Sequence, residues 1–161
     1  MHIEYLQILV DNPKIKVPNY DAWRYNEPID ITEIEVLERI YNNGLPFPKA
    51  LRELLFIAGK RCYVLDYGLF DSQDEMQQGA RRWLTAYGRN FNIERPFFVI
   101  DVYNAGGQFL FVYLDEESES PMVYEALLSE SEEPWIKRLG WNLSPFIRRL
   151  TNDLLNGYNP F

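Results

Sequence analysis

Carboxylates are the reactive groups this chain holds in quantity. Asp101 lies inside a hydrophobic stretch and Asp115 ends the next one. Two such carboxylates are candidates for an acid/base or metal-binding pair of the kind that hydrolyses glycosides, although their spacing does not set their separation. Asp115-Glu116-Glu117-Ser118-Glu119 lacks the alternating ligands and the glycine of an EF-hand loop. His2 is the single histidine, at a frayed end, so Ser–His and Cys–His mechanisms have no credible base. Tetrahedral zinc would need thiolates or imidazoles that the chain lacks. Cys62 follows Lys60 and Arg61, which lower a thiol's pKa when it is exposed. A free cysteine more often behaves as a small buried hydrophobe, and that is the expectation here. Gly106-Gly107 is too short to cradle a phosphate and precedes a strand, so it reads as a turn. These residues predict no catalytic centre, no metal and no cofactor.

Charge is the stronger signal. Of the net −8, residues 96–136 hold nine acids and no Lys or Arg. Residues 1–95 carry 14 acids against 12 bases, and residues 137–161 one acid against four bases. A field of this kind repels nucleic acid and steers basic partners. Its simplest role is solubility, but its confinement to one segment predicts a surface with a use. Trp135 and Trp141, set around Lys137 and Arg138, are expected in the core or at a protein interface, not stacked on bases. One cysteine excludes an internal disulfide framework and suits a reducing compartment. The start, MHIEYLQILVDNPK, has acids beside a short apolar run and no basic leader, and no run of about 18 apolar residues exists for a membrane span. The expected location is the cytoplasm.

The elements that must position these residues follow from periodicity. Stretches 97–103 and 108–114 flank Asn104-Ala105-Gly106-Gly107 and predict a hairpin. Phe109, Phe111 and Tyr113 fall on one face and Leu110, Val112 and Leu114 on the other, so both faces should be covered, at least in part. Pro121 leads into a further strand at 122–126, while 135–141 fits no pattern. A capping box Thr32-Glu33-Ile34-Glu35 predicts a helix ended by Asn42-Asn43-Gly44. A second helix follows Leu45-Pro46-Phe47 and ends at Gly59. A third, capped by Asp71 or Ser72, runs to about Tyr87 with Met76, Ala80, Trp83, Leu84 and Tyr87 inward. A last helix starts at Ser144-Pro145 and ends at Gly157. Residues 63–67 are a strand candidate, and 3–10 fit a short strand or a helical turn. Pro13, Pro18 and Pro28 make 11–29 an irregular arm, pinned to the body by Tyr20, Trp23 and Tyr25 or, alternatively, presenting them for recognition. With 161 residues, 47% of them hydrophobic, the chain fits one α+β domain: a mainly antiparallel sheet with a central hairpin, packed by N-terminal and C-terminal helices.

The order of these features resembles the SMI1/KNR4-like, or SUKH, superfamily. The resemblance rests on the helix with Ile31-Thr32-Glu33-Ile34-Glu35-Val36-Leu37-Glu38, then Leu45-Pro46 and the helix over 47–59. It continues through the hairpin over 97–115 with Gly106-Gly107 at its turn, Pro121-Met122-Val123-Tyr124, and Ser144-Pro145-Phe146-Ile147-Arg148-Arg149-Leu150. It covers residues 30–155 of a single domain over 1–161, with 1–29 as an arm outside the pattern. Ala58-Gly59-Lys60 stands where an Asn-Gly turn is usual. Bacterial members are commonly immunity proteins that bind a cognate toxin, often a nuclease. The resemblance thus implies a non-enzymatic protein-binding module; with the acidic charge pattern and the lack of an apolar span, the expectation is a monomer or weak dimer with no direct nucleic-acid or membrane contact. Such a toxin would be basic, and the expected surface is Asp115, Glu116, Glu117, Glu119, Glu125, Glu130, Glu132 and Glu133, with Tyr113 and Tyr124 as aromatic anchors. A regulatory or scaffold protein of the same fold and a carboxylate hydrolase are the alternatives.

Overall fold

The computed structural model describes residues 1–17, 21–89, 93–103, 106–130 and 133–158. In chain order the elements are α1 (Gln7–Asp11), β1 (Lys14–Lys16), β2 (Trp23–Tyr25), α2 (Ile31–Tyr41), α3 (Lys49–Ala58) and α4 (Gln73–Ala86). They are followed by β3 (Phe97–Tyr103), β4 (Gln108–Tyr113), β5 (Met122–Leu127), β6 (Ile136–Asn142) and α5 (Leu143–Leu155). Strands β3 to β6 form one antiparallel sheet in sequence order, and β1 pairs with β2 in a separate two-stranded sheet. The fold is α+β, as the element pattern predicts. Among the described residues no helix is long and apolar enough to cross a membrane.

The hairpin is buried on both sides. Phe98, Ile100, Leu110, Val112 and Leu114 join the core built by α2, α3 and α5, where Ile34, Leu51, Leu55 and Ile147 lie. Phe97, Val99, Phe109, Phe111 and Tyr113 join a second core closed by Met76, Ala80 and Leu84 of α4. Period-two alternation with both sets apolar thus gives two cores sharing one sheet. The register slips by one residue between Val99 and Asp101. The turn residues Asn104 and Ala105 lie outside the described residues. Gly106 has φ +100°, and a Cβ there would stand 2.5 Å from the Trp83 ring, so only glycine fits both the turn and the α4 contact.

Several local expectations are corrected. Asp30, not Thr32, caps α2, its side chain accepting from the Glu33 amide at 2.8 Å. The Asp30 carboxylate meets one of the orphan amides, and an anion is a favourable acceptor at the dipole's positive end. Tyr87 is 48% exposed, because α4 ends at Ala86 and the chain turns away through Gly88 at φ +68°. Residues 63–65 are buried, Asp66 is exposed and Tyr67 half-buried, and the stretch forms no strand. Instead the Asp66 amide donates to Asp101 and the Asp66 carbonyl accepts from the Val102 amide. In the arm, Trp23 and Tyr25 are 58% and 45% exposed; Trp23 lies under Lys14 of the arm itself and Tyr25 under Arg61 of the body, while Tyr20 lies outside the described residues. Ile15, Val17 and Ile29 anchor the arm, with backbone bonds between Glu27 and Arg61. The stretch before α1 is held by Glu53 of α3, a buried carboxylate accepting from the amides of Glu4, Tyr5 and Leu6 at 2.8–2.9 Å. Residues 135–141, which fit no pattern in sequence, supply β6, the fourth strand.

Strand β3 is one of the sheet's two outer strands and yet is buried, so its outward backbone groups need partners from elsewhere. Gln77 of α4 supplies two: its Nε2 donates to the Val99 carbonyl and its Oε1 accepts from the Val99 amide, both at 2.8 Å. The Arg81 guanidinium donates to the Phe97 carbonyl at 3.1 Å. Replacing Gln77 by Ala orphans both Val99 groups in the core. Chemical denaturation should show a loss of roughly 2–4 kcal/mol, while Gln78→Ala, on the exposed face, changes stability by less than about 0.5 kcal/mol.

Candidate functional site

The two candidate catalytic carboxylates do not meet. Asp101 is opposite Leu110, and Asp115 lies five residues beyond Leu110 on the partner strand, about 16 Å along it. Asp101 is fully buried, accepting from the Asp66 amide at 2.8 Å and from the Tyr103 hydroxyl. Loss of hydration raises its carboxyl to about 7, against the pull of those two hydrogen bonds. Asp115 is exposed and takes a bidentate pair from Arg95, whose Nε donates at 2.8 and 3.0 Å; that pairing lowers its pKa. Cys62 is buried, and burial pushes its thiol up to about 12, so Lys60 and Arg61 do not activate it. Among the described residues no group of three or more His, Cys, Asp or Glu side chains could hold a metal ion.

The predicted acidic surface is distributed and largely paired. Arg95 lies over the Tyr113 ring, 3.8 Å from its centroid, as it grips Asp115. Glu116 accepts from the Tyr124 hydroxyl at 2.8 Å and the Met122 amide at 3.0 Å, closing the loop before β5. The Glu119 carboxylate accepts from the Lys49 amide at 2.8 Å and its carbonyl from the Ala50 amide at 2.9 Å, which caps the start of α3. Glu125 accepts from the Gln108 side chain at 2.6 Å and faces Lys137 across the ladder. Glu130 and Glu133 pair with Lys137 and Arg89, at 3.7 and 2.9 Å. Glu132 lies outside the described residues. Tyr113 is only 8% exposed, edge-on to Phe111 and Tyr124, so its ring belongs to the core; Tyr124 is half-buried and stacked on Phe111. Trp135 is buried and Trp141 is 40% exposed.

What the fold does bring together is the acid run and the Leu-Pro segment. Glu116, Glu117 and Glu119 line a cleft of about 360 Å³ whose opposite wall is Pro46, Phe47 and Pro48. Glu117 is exposed and has no partner among the described residues. Leu45, one residue before the wall, is 64% exposed. Sequence reasoning missed Arg89, Arg95 and Lys137, the cations that close on the acids. The hairpin's register is the signal that finds one of them: with Phe97 opposite Tyr113, Arg95 falls opposite Asp115.

Asp101 has a stability consequence. Its folded pKa lies above the unfolded carboxyl's, so between about pH 4 and about pH 7 the folded state binds more protons and stability falls as pH rises. Asp101→Asn, which mimics the protonated form, should flatten this slope and raise stability above pH 7. Urea midpoints across that pH range check it; a wild-type midpoint constant from pH 4 to 7 contradicts it.

Compared with protein-family models, with curated proteins and with solved structures, the chain has no match.

Proposed function

We propose that this chain is a non-catalytic protein-binding module that docks a basic partner on the cleft of Glu116, Glu117 and Glu119 against Pro46, Phe47 and Pro48. The observation that carries this reading is an acidic rim set beside exposed apolar surface at Leu45. Charge complementarity speeds encounter, and a buried apolar anchor supplies affinity. Glu116 and Glu119 are already oriented by hydrogen bonds to Tyr124, Met122 and the α3 amides, so their carboxylates lose little freedom on binding. Glu117 is the member whose charge is unspent within the described molecule.

Within the SMI1/KNR4-like resemblance, the reading sharpens to an immunity protein, and the partner to a basic toxin of nuclease type met in the cytoplasm. The order of helices, hairpin, strand and final helix supports it. So does the separation of Asp101 from Asp115, which removes the carboxylate pair a hydrolase would use.

A tagged pull-down from the source cells, washed at low and then moderate salt, is the test. The expected capture is one basic protein, lethal when expressed alone and harmless with this chain. Housekeeping partners without toxicity would instead make it a regulatory scaffold. With the captured protein, Glu117→Lys should slow association several-fold and weaken its salt dependence, with unchanged thermal stability. An unchanged on-rate removes this cleft as the docking surface.

A further inference from the structure

We propose that a second surface, the groove between β2 and the 60–70 segment, docks an extended acidic segment of a protein. Two cavities of about 500 and 710 Å³ share Asp66, Gly68 and Phe70 as lining and so adjoin, and we treat them as two halves of one groove. Its first half is walled by Trp23 and Tyr25, both exposed, and its second by Trp83 and Val102. Leu69 stands fully exposed on the second half, thrown outward by a turn in which Gly68 has φ +66°. A leucine wholly in water beside aromatic walls is an anchor without a core to fill.

The charge around this groove opposes that of the chain. Lys60 and Arg61 share a single carboxylate, Glu27, at 3.4 and 3.0 Å. Lys14 sits over the Trp23 ring, and Arg82 lines the second half, exposed and with no ion pair among the described residues. The acid inside the groove, Asp66, already accepts from the Gly68 amide at 2.8 Å. A cation following a helix end complements the α3 dipole, which accounts for Lys60. It does not account for Arg82, nor for exposed aromatics between cations. In a molecule of net charge −8, a groove with a cationic surplus selects an acidic occupant.

Two features select a peptide. One face of Trp23 is covered by Lys14 at 5.1 Å and one face of Tyr25 by Arg61 at 4.8 Å, so each ring offers at most one face for base stacking. The uniform charge of a nucleic acid would also meet the field of the acidic remainder. At the adjoining β3 edge strand addition is blocked, because the Val102 amide already donates to the Asp66 carbonyl at 2.9 Å. Recognition therefore runs through side chains: acids to Lys60, Arg61 and Arg82, apolar groups to Leu69, Phe70 and Trp83.

The test is fluorescence anisotropy with the full chain and a labelled peptide alternating Glu and Leu, long enough to span the groove (roughly ten residues). Its Lys–Leu counterpart and a single-stranded oligothymidine are the comparisons. The acidic peptide should bind more weakly as salt rises, and Lys60→Glu and Leu69→Asp should each weaken it about 10-fold or more. Leu69 packs against nothing, so Leu69→Asp keeps the fold, and unchanged thermal melting establishes that. Glu117→Lys should leave this binding intact, which separates the groove from the acidic cleft. The proposal is overturned if the acidic peptide does not bind at millimolar concentration, if Lys–Leu binds equally, or if neither variant weakens binding. Tighter oligothymidine binding, lost in the same variants, would replace the peptide by nucleic acid.

Discussion

A hairpin buried on both faces leaves no solvent to hydrate its backbone, and this constraint shapes the rest of the molecule. Inside the sheet, β4 has neighbours on both sides. Strand β3 has only one, so α4 and the 66 loop complete it: Gln77 against Val99, Arg81 against Phe97, Asp66 against Val102. A primary side-chain amide presents an N–H donor and a C=O acceptor on the same side, as a strand residue presents its own N–H and C=O to the residue opposite, which is why glutamine can stand in for a strand. The register slip beside Val99 and the buried Asp101 belong to the same seam. There the chain trades ladder bonds for side-chain bonds, and a carboxylate is left where water cannot reach it.

Much of the architecture was legible because its signals are local. Helical spacing at Ile34, Leu37, Leu51, Leu54, Met76 and Ala80, and the apolar arms around Gly106, are readable without knowing the fold. What was not legible depended on distant partners. Strand β6 alternates poorly, because the register shifts between its pairs with Met122 and Tyr124 and Gly140 adopts φ +77°. Residues 63–67 have strand composition, but their backbone partners are the Asn26 and Asp101 side chains and one amide, that of Val102. The N-terminal stretch gives no hint that Glu53, some fifty residues on, will collect its amides.

The charge pattern teaches a related lesson. A segment without bases in sequence is not a surface without bases in space. Arg89 and Arg95 arrive from before the hairpin and Lys137 from β6, the last strand, and together they engage Glu133, Asp115 and Glu130. Glu116 and Glu119 turn inward to backbone amides as well as outward. The negative potential left over is narrower than composition suggests, and it concentrates where the acid run faces the Pro46 to Pro48 wall. The candidate site was half readable: its acids were visible, but their apolar counterpart, seventy residues away, was visible only as a helix start.

The seal at β3 also bears on how the chain is made. Gln77 and Arg81 precede β3 by about twenty residues, so a ribosome delivers α4 before the strand it must cover. At roughly 5–20 residues per second the interval is a few seconds at most. An apolar hairpin born with its edge open is a template for pairing with another nascent chain. Here the cover is synthesised first, and the vulnerable strand emerges next to the glutamine that replaces a neighbour.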